Sequence, residues 1–176
     1  MSRGGEGDHE NRRRHAGARY GMDIELTYRR GLLRSIGGVE VTYGPREWLD
    51  GTPRALGSWP LEYQRFSTSL RSVAGIEITY RRWSALPLTV GRWSCEHSRF
   101  GSRLLRLGPY ELSHDRGVSR VRTVGPLEIS YDRLGSRPIR AHLPGDGDEL
   151  SPDLLLALFL TLFWQQQNWD AQQRSR

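Results

Sequence analysis

The sequence predicts an all-β fold with one C-terminal helix: an antiparallel meander of seven hairpin repeats, closed as a barrel of 12–14 strands around that helix. Three observations carry the prediction. A 17-residue phrase recurs without gaps in units that begin at Gly57, Ala74, Gly91, Gly108 and Gly125. Each phrase holds two turn signals separated by strand-like alternation. After the last unit comes a run, Leu154–Trp164, that is apolar on every side except at Thr161.

Two earlier units fit with adjustment, one of 15 residues from Met22 and one of 20 from Gly37, so repeats fill residues 22–141. Within a unit, positions 3, 5 and 7 are apolar or aromatic (Ile76, Ile78, Tyr80; Leu127, Ile129, Tyr131), while 4 and 6 are Glu, Thr or Ser. That period of two marks a strand with one buried face, and the expectation is that 3, 5 and 7 line the lumen. A turn such as Asp132-Arg133-Leu134-Gly135 follows, then a second strand such as Val121–Val124. The second strand closes on a Gly-X pair (Gly37-Gly38, Gly57-Ser58, Gly91-Arg92, Gly108-Pro109, Gly125-Pro126), which suits a two-residue hairpin turn; Ala74-Gly75 departs from it. Tight turns at both ends of every strand disfavour the rival, a parallel β-helix.

The remaining segments complete the division: a disordered basic tail at 1–20, one domain over 21–173, an acidic loop at 142–150 and a buried helix at 151–169. Ser151-Pro152-Asp153 supplies an N-cap, a first-turn proline and an acid suited to the helix dipole. A run of eleven residues falls well short of the ~20 that span a bilayer, so protein must surround it. A helix ~10 Å across fits the lumen of a barrel of about a dozen strands, which side chains alone would not fill.

This arrangement, with the run from Asp148 to Trp164 as its centre, resembles the tubby and phospholipid-scramblase superfamily. The resemblance implies a hairpin-built barrel around a hydrophobic C-terminal helix and an association with membrane phospholipids. Tyr131-Asp132-Arg133-Leu134-Gly135 also resembles the tyrosine-aspartate repeat of bacterial Rhs shells.

All 26 basic residues are Arg, a bias that weakens any argument from Arg counts alone. Residues 21–141 nevertheless carry 19 Arg against 12 acids, and a basic body invites anionic partners. Position 9, in the first turn, is Arg in six units: Arg30, Arg65, Arg82, Arg99, Arg116 and Arg133. Phe66, Trp83 and Phe100 follow at position 10. Turns of one kind share one rim, so guanidinium groups interleaved with aromatics would face phosphates of anionic lipid or single-stranded nucleic acid. At position 7 His97 and His114 replace Tyr, with Cys95 on the same face as His97; the three are a minor candidate metal or thiol–base set, and a structural role is the stronger reading. Outward Glu25, Glu40, Glu77, Glu111 and Glu128 read as cross-strand ion-pair partners for second-strand arginines such as Arg71, Arg122 and Arg140.

No nucleophile, base and orienting group converge in the sequence, and no phosphate-cradling motif appears. The functional expectation is therefore a non-enzymatic binding or scaffold barrel with a protein partner and no cofactor. The alternative is an anionic-phospholipid or single-stranded nucleic-acid binder acting through the Arg rim. A lone Cys and a polar N-terminus without an apolar leader core give a cytoplasmic expectation.

Overall fold

The computed structural model describes residues 20–45, 51–99, 103–116, 120–134, 137–145 and 149–174. Long strands β1 (Gly21–Arg29), β3 (Val39–Tyr43), β5 (Trp59–Tyr63), β7 (Ile76–Tyr80), β9 (Trp93–His97), β11 (Tyr110–His114) and β13 (Leu127–Tyr131) hold positions 3 to 7 of the seven units. They alternate with β2 (Leu32–Ile36), β4 (Pro53–Leu56), β6 (Leu70–Val73), β8 (Pro87–Val90), β10 (Leu104–Leu107), β12 (Val121–Val124) and β14 (Pro138–Pro144). The strands pair antiparallel in sequence order, and β1 pairs β14, which closes the barrel and leaves no edge for another chain to extend.

Closure lengthens the wall beyond the repeats. His142, Leu143 and Pro144, expected in the acidic loop, continue β14 and lie opposite Asp23, Met22 and Gly21. His142 Nδ1 sits 2.8 Å from Asp23 Oδ1, and Arg140 pairs with the same carboxylate at 3.2 Å. Helix α1 (Pro152–Arg174) begins as expected and runs five residues past the predicted end at 169. Ser151 caps it: its hydroxyl accepts from the Leu154 N–H at 3.3 Å and its carbonyl accepts from Leu155 N–H at 2.9 Å.

Each unit carries a β-bulge that the alternation pattern does not announce. Thr79 pairs Thr89 and Tyr80 pairs Pro87, which leaves Leu88 as the extra residue of the short strand. The same slip makes Arg34, Arg54, Arg71, Leu105, Arg122 and Ile139 the extra residue of the short strand in the other six units. Bulges add local twist and bend, and one per unit supplies the curvature that closes the sheet.

The bulge also fixes which residues meet the helix. Position 5 (Leu26, Val41, Leu61, Ile78, Cys95, Leu112, Ile129) and the last residue of each unit (Ile36, Leu56, Val73, Val90, Leu107, Val124, Ala141) are buried around α1. Positions 3 and 7 share this inward face toward the two ends of the lumen: Ile24 and Leu127 are fully buried, most of the others are half-buried against the core, and Ile76 is exposed. At the mouth of the Gly-X turns, position 3 covers the turn that begins the next unit. A Cβ placed on Gly108 would lie 2.4 Å from Trp93 Cγ, and one on Gly125 would lie 2.7 Å from Tyr110 Cδ1. Trp93 and Tyr110 meet edge to face, with ring centroids 5.8 Å apart. Ala74 (φ 50°) and Gly75 (φ 78°) are both left-handed, which identifies the departing turn as type I′.

On the outer face, hydroxyl pairs cross the strands: Thr27–Ser35 at 2.7 Å, Thr79–Thr89 at 2.6 Å and Ser113–Thr123 at 2.7 Å. In the Glu column Glu111 pairs across the strands with Arg106, an arginine of the short strand, at 2.6 Å.

Candidate functional site

Antiparallel alternation puts every turn that follows a long strand at one mouth. Arg30, Arg65, Arg82, Arg99, Arg116 and Arg133 all lie on turns of this mouth and all are exposed. Phe66 and Trp83 are 94% and 92% exposed, and Leu134, at the same position of the last unit, is 91% exposed. Phe100 lies outside the described residues.

The turns that carry Phe66 and Trp83 are built alike. Ser67 N–H donates to the Gln64 carbonyl at 3.1 Å, and Ser84 N–H to the Arg81 carbonyl at 3.1 Å, closing four-residue turns. The aromatic takes the third place of each in the left-handed region, at φ 59° for Phe66 and φ 61° for Trp83, a place that favours Gly. Ser67 and Ser84 hydroxyls then accept from Ser69 and Leu86 N–H at 3.0 and 3.1 Å, which locks the return into the short strand. Arg65 lies over the Phe66 ring at 4.9 Å and Arg82 over the Trp83 ring at 5.6 Å.

The helix ends at this same mouth. Gln165 is buried and accepts from the Val121 N–H at 2.8 Å, and its amide donates to the Tyr131 hydroxyl at 3.2 Å. Gln167 donates to the Thr68 carbonyl at 2.8 Å. The glutamines therefore pin the helix to the wall at the point where it becomes polar. One helix does not fill the mouth of fourteen strands, and a cleft of about 650 Å³ opens on one side of it and another of about 660 Å³ on the other.

Position 7 lines this mouth. Hydroxyls of Tyr43, Tyr63 and Tyr131 each donate to the carbonyl ten residues earlier, on Leu33, Pro53 and Val121, at 2.9, 2.6 and 2.7 Å. Tyr80 holds the same place near Leu70 and the Trp164 indole, but its buried hydroxyl makes no hydrogen bond; burial pushes its phenol up to about 12. His97 and His114 occupy the equivalent places in two consecutive units, and their shorter side chains leave the first cleft between Pro87, Leu104, Val121 and the helix. Both His97 nitrogens and the Thr161 hydroxyl are buried there without a hydrogen-bond partner. Burial, then the charge of Arg81, lowers the His97 pKa; burial, then Arg103, lowers that of His114 to about 4. Both imidazoles are neutral at neutral pH.

Cys95 points into the core below them, where burial pushes its thiol up to about 12 and keeps it protonated. Among the described residues no three His, Cys, Asp or Glu side chains come together as a metal site, so Cys95, His97 and His114 are not gathered into one. No helix of the described residues is long and apolar enough to cross a membrane.

The sequence reading picked out the arginines, the rim aromatics and the two histidines but not Thr161, Trp164 or Gln165. Two signals bear on them: a polar Thr inside an otherwise apolar helix, and consecutive departures from Tyr at position 7. The closed barrel around a C-terminal helix agrees with the architecture of the tubby and phospholipid-scramblase superfamily, while no family model, curated protein or solved structure matches the chain.

Proposed function

We propose that this protein is a non-enzymatic binding barrel that docks end-on, through its arginine and aromatic turns, against an anionic lipid surface. The observation that carries the reading is the pair Phe66 and Trp83, solvent-facing aromatics held in a backbone region that costs a non-glycine residue about 1–2 kcal/mol. Neither ring packs against the core, so the fold itself gains nothing from them. At a membrane interface the ring enters the headgroup layer, and each arginine beside it contributes about 1 kcal/mol near an anionic leaflet. A circle of turn tips at one end of a barrel suits a flat surface better than it suits a threaded strand of nucleic acid, which calls for a continuous groove.

The test is co-sedimentation with vesicles of phosphatidylcholine containing phosphatidylglycerol, at near-physiological salt. Wild type should bind in proportion to the anionic fraction. Arg65→Glu with Arg82→Glu should weaken binding roughly 100-fold or more, from four units of reversed charge. Phe66→Ser with Trp83→Ser should weaken it without changing its salt dependence. Wild type that stays in solution, or that prefers a single-stranded oligonucleotide to the vesicles, would overturn the reading.

A further inference from the structure

We infer that the cleft between the helix and the two histidine units is a binding site for a polyol phosphate ester, its phosphate at Arg99 and Arg103 and its hydroxyls at His97 and Thr161. Thr161 is 3% exposed, lines the cleft, and its hydroxyl has no partner. A buried hydroxyl without a partner forfeits a hydrogen bond that a ligand would restore. His97 lies on the same cleft with both ring nitrogens buried and unpartnered. A neutral imidazole offers one donor and one acceptor, and a threonine hydroxyl offers both, which is the complement of a vicinal diol. Arg99 and Arg103 line the outer part of the cleft, on the turn that follows β9, where guanidinium groups meet phosphate bidentately. The volume of about 650 Å³ lies within the range of small-molecule pockets.

The site owes its existence to a departure from the repeat. Where position 7 is tyrosine the hydroxyl reaches the neighbouring strand and occupies the mouth, as Tyr131 does against Val121. In two adjacent units it is histidine, and the mouth stays open beside the one polar side chain in the helix's apolar run. This inference does not require membrane docking, since a free phosphate ester and the headgroup of phosphatidylglycerol present the same chemistry to the cleft.

The test titrates the full-length protein with sn-glycerol 3-phosphate and follows the imidazole proton resonances of His97 and His114 by NMR, with glycerol and inorganic phosphate as controls. Saturable shifts are expected with the ester at concentrations where neither control acts. No shift, or equal affinity for inorganic phosphate, would overturn the site. Thr161→Val keeps the shape of the side chain and should weaken binding about tenfold. His97→Tyr with His114→Tyr restores the repeat, should fold with unchanged or higher thermal stability, and should abolish binding; retained binding in that folded variant would also overturn it. Vesicle co-sedimentation distinguishes the sources. Displacement from phosphatidylglycerol vesicles by saturating ester assigns the cleft to a headgroup, and undiminished vesicle binding assigns it to a soluble ester. Titration without vesicles reads the cleft alone, so a failure of end-on docking leaves its result separate.

Discussion

Replacing Gln165 with Leu asks how firmly the helix is fastened to the wall it fills. The side chain is 6% exposed; its Oε1 accepts from the Val121 N–H at 2.8 Å and its Nε2 donates to the Tyr131 hydroxyl at 3.2 Å. Leu matches its size but offers neither group. Val121 then keeps a buried N–H without a partner, which costs about 1–3 kcal/mol. Loss of the Tyr131 contact adds about 0.5–1.5 kcal/mol, and the greater apolar burial of Leu returns up to ~1 kcal/mol. Tyr131 itself stays satisfied, because its hydroxyl still donates to the Val121 carbonyl at 2.7 Å. The net expectation is a loss of about 2–3 kcal/mol. Urea unfolding measures it: the midpoint should fall while the slope stays constant, since the surface exposed on unfolding is unchanged. Gln167→Ala is the control, because its bond to the Thr68 carbonyl is exposed and should count for less than about 1 kcal/mol. If Gln165→Leu costs no more than Gln167→Ala, the glutamine does not anchor the helix and the account of the mouth fails.

Three further outcomes follow from the same structure. Removing residues 150–176 takes away eight large buried side chains of the helix, Leu154 to Leu156, Leu158 to Leu160, Leu162 and Trp164, with Leu158 and Leu160 flanking Phe159. At roughly 1.5–3 kcal/mol each this exceeds the stability of a typical domain, so the truncated chain should be insoluble or molten, with no near-UV circular dichroism and no cooperative melt; a cooperative transition would refute the plugged barrel. Gly108→Ala should cost more than about 2 kcal/mol, from a left-handed φ of 57° and a Cβ placed 2.4 Å from Trp93 Cγ. Gly38→Ala, with nothing within 4 Å, should cost only about 1 kcal/mol, and equal shifts in Tm would contradict the packing of position 3 on the turns. The His114 pKa is depressed to about 4, so the unfolded chain takes up a proton that the folded one refuses; stability should be fully present above about pH 6.5 and fall as the pH drops toward 4. After allowance for solvent screening this amounts to ~1–2 kcal/mol, and His114→Tyr should remove that part of the pH dependence measured by denaturant titration.

The architecture was open to reading because hairpin chemistry is local. Alternation through Ile76, Ile78 and Tyr80, a turn residue at each end, and a run such as LLLALFLTLFW leave little besides a meander wrapped on a helix. The bulge was not open to reading, since which residue is left unpaired depends on the neighbouring strand. Leu88 and Ile139 look like core residues by type, and the slip turns both outward. For the same reason positions 3 and 7 resembled position 5 in sequence yet sit at opposite mouths. The arginine turns were legible because topology alone puts them together. The cleft was not, because it depends on where a tyrosine hydroxyl ends, ten residues back along the chain and one strand across the wall. His97 and His114 read as replacements of like kind, and only the reach of the side chain shows that they are not. One feature of the turns was not legible either: Phe66 and Trp83 take left-handed places that their residue type does not signal.

The helix gives the barrel a property that open repeat proteins lack. Solenoids gain and lose units freely because each unit touches only its neighbours. Here every unit also touches one shared mandrel, and the circumference is set by how many units surround it. Deleting a 17-residue unit would shorten the ring by two strands and press the wall onto Phe159 and its neighbours, while inserting one would open a void along the whole length of the helix. Either event alters all the contacts at once, so unequal recombination between units, which readily changes copy number in tandem arrays, meets a gauge of fixed calibre. Single units are free to diverge, as those of His97 and His114 have, but the number seven is held by the diameter of the helix they enclose.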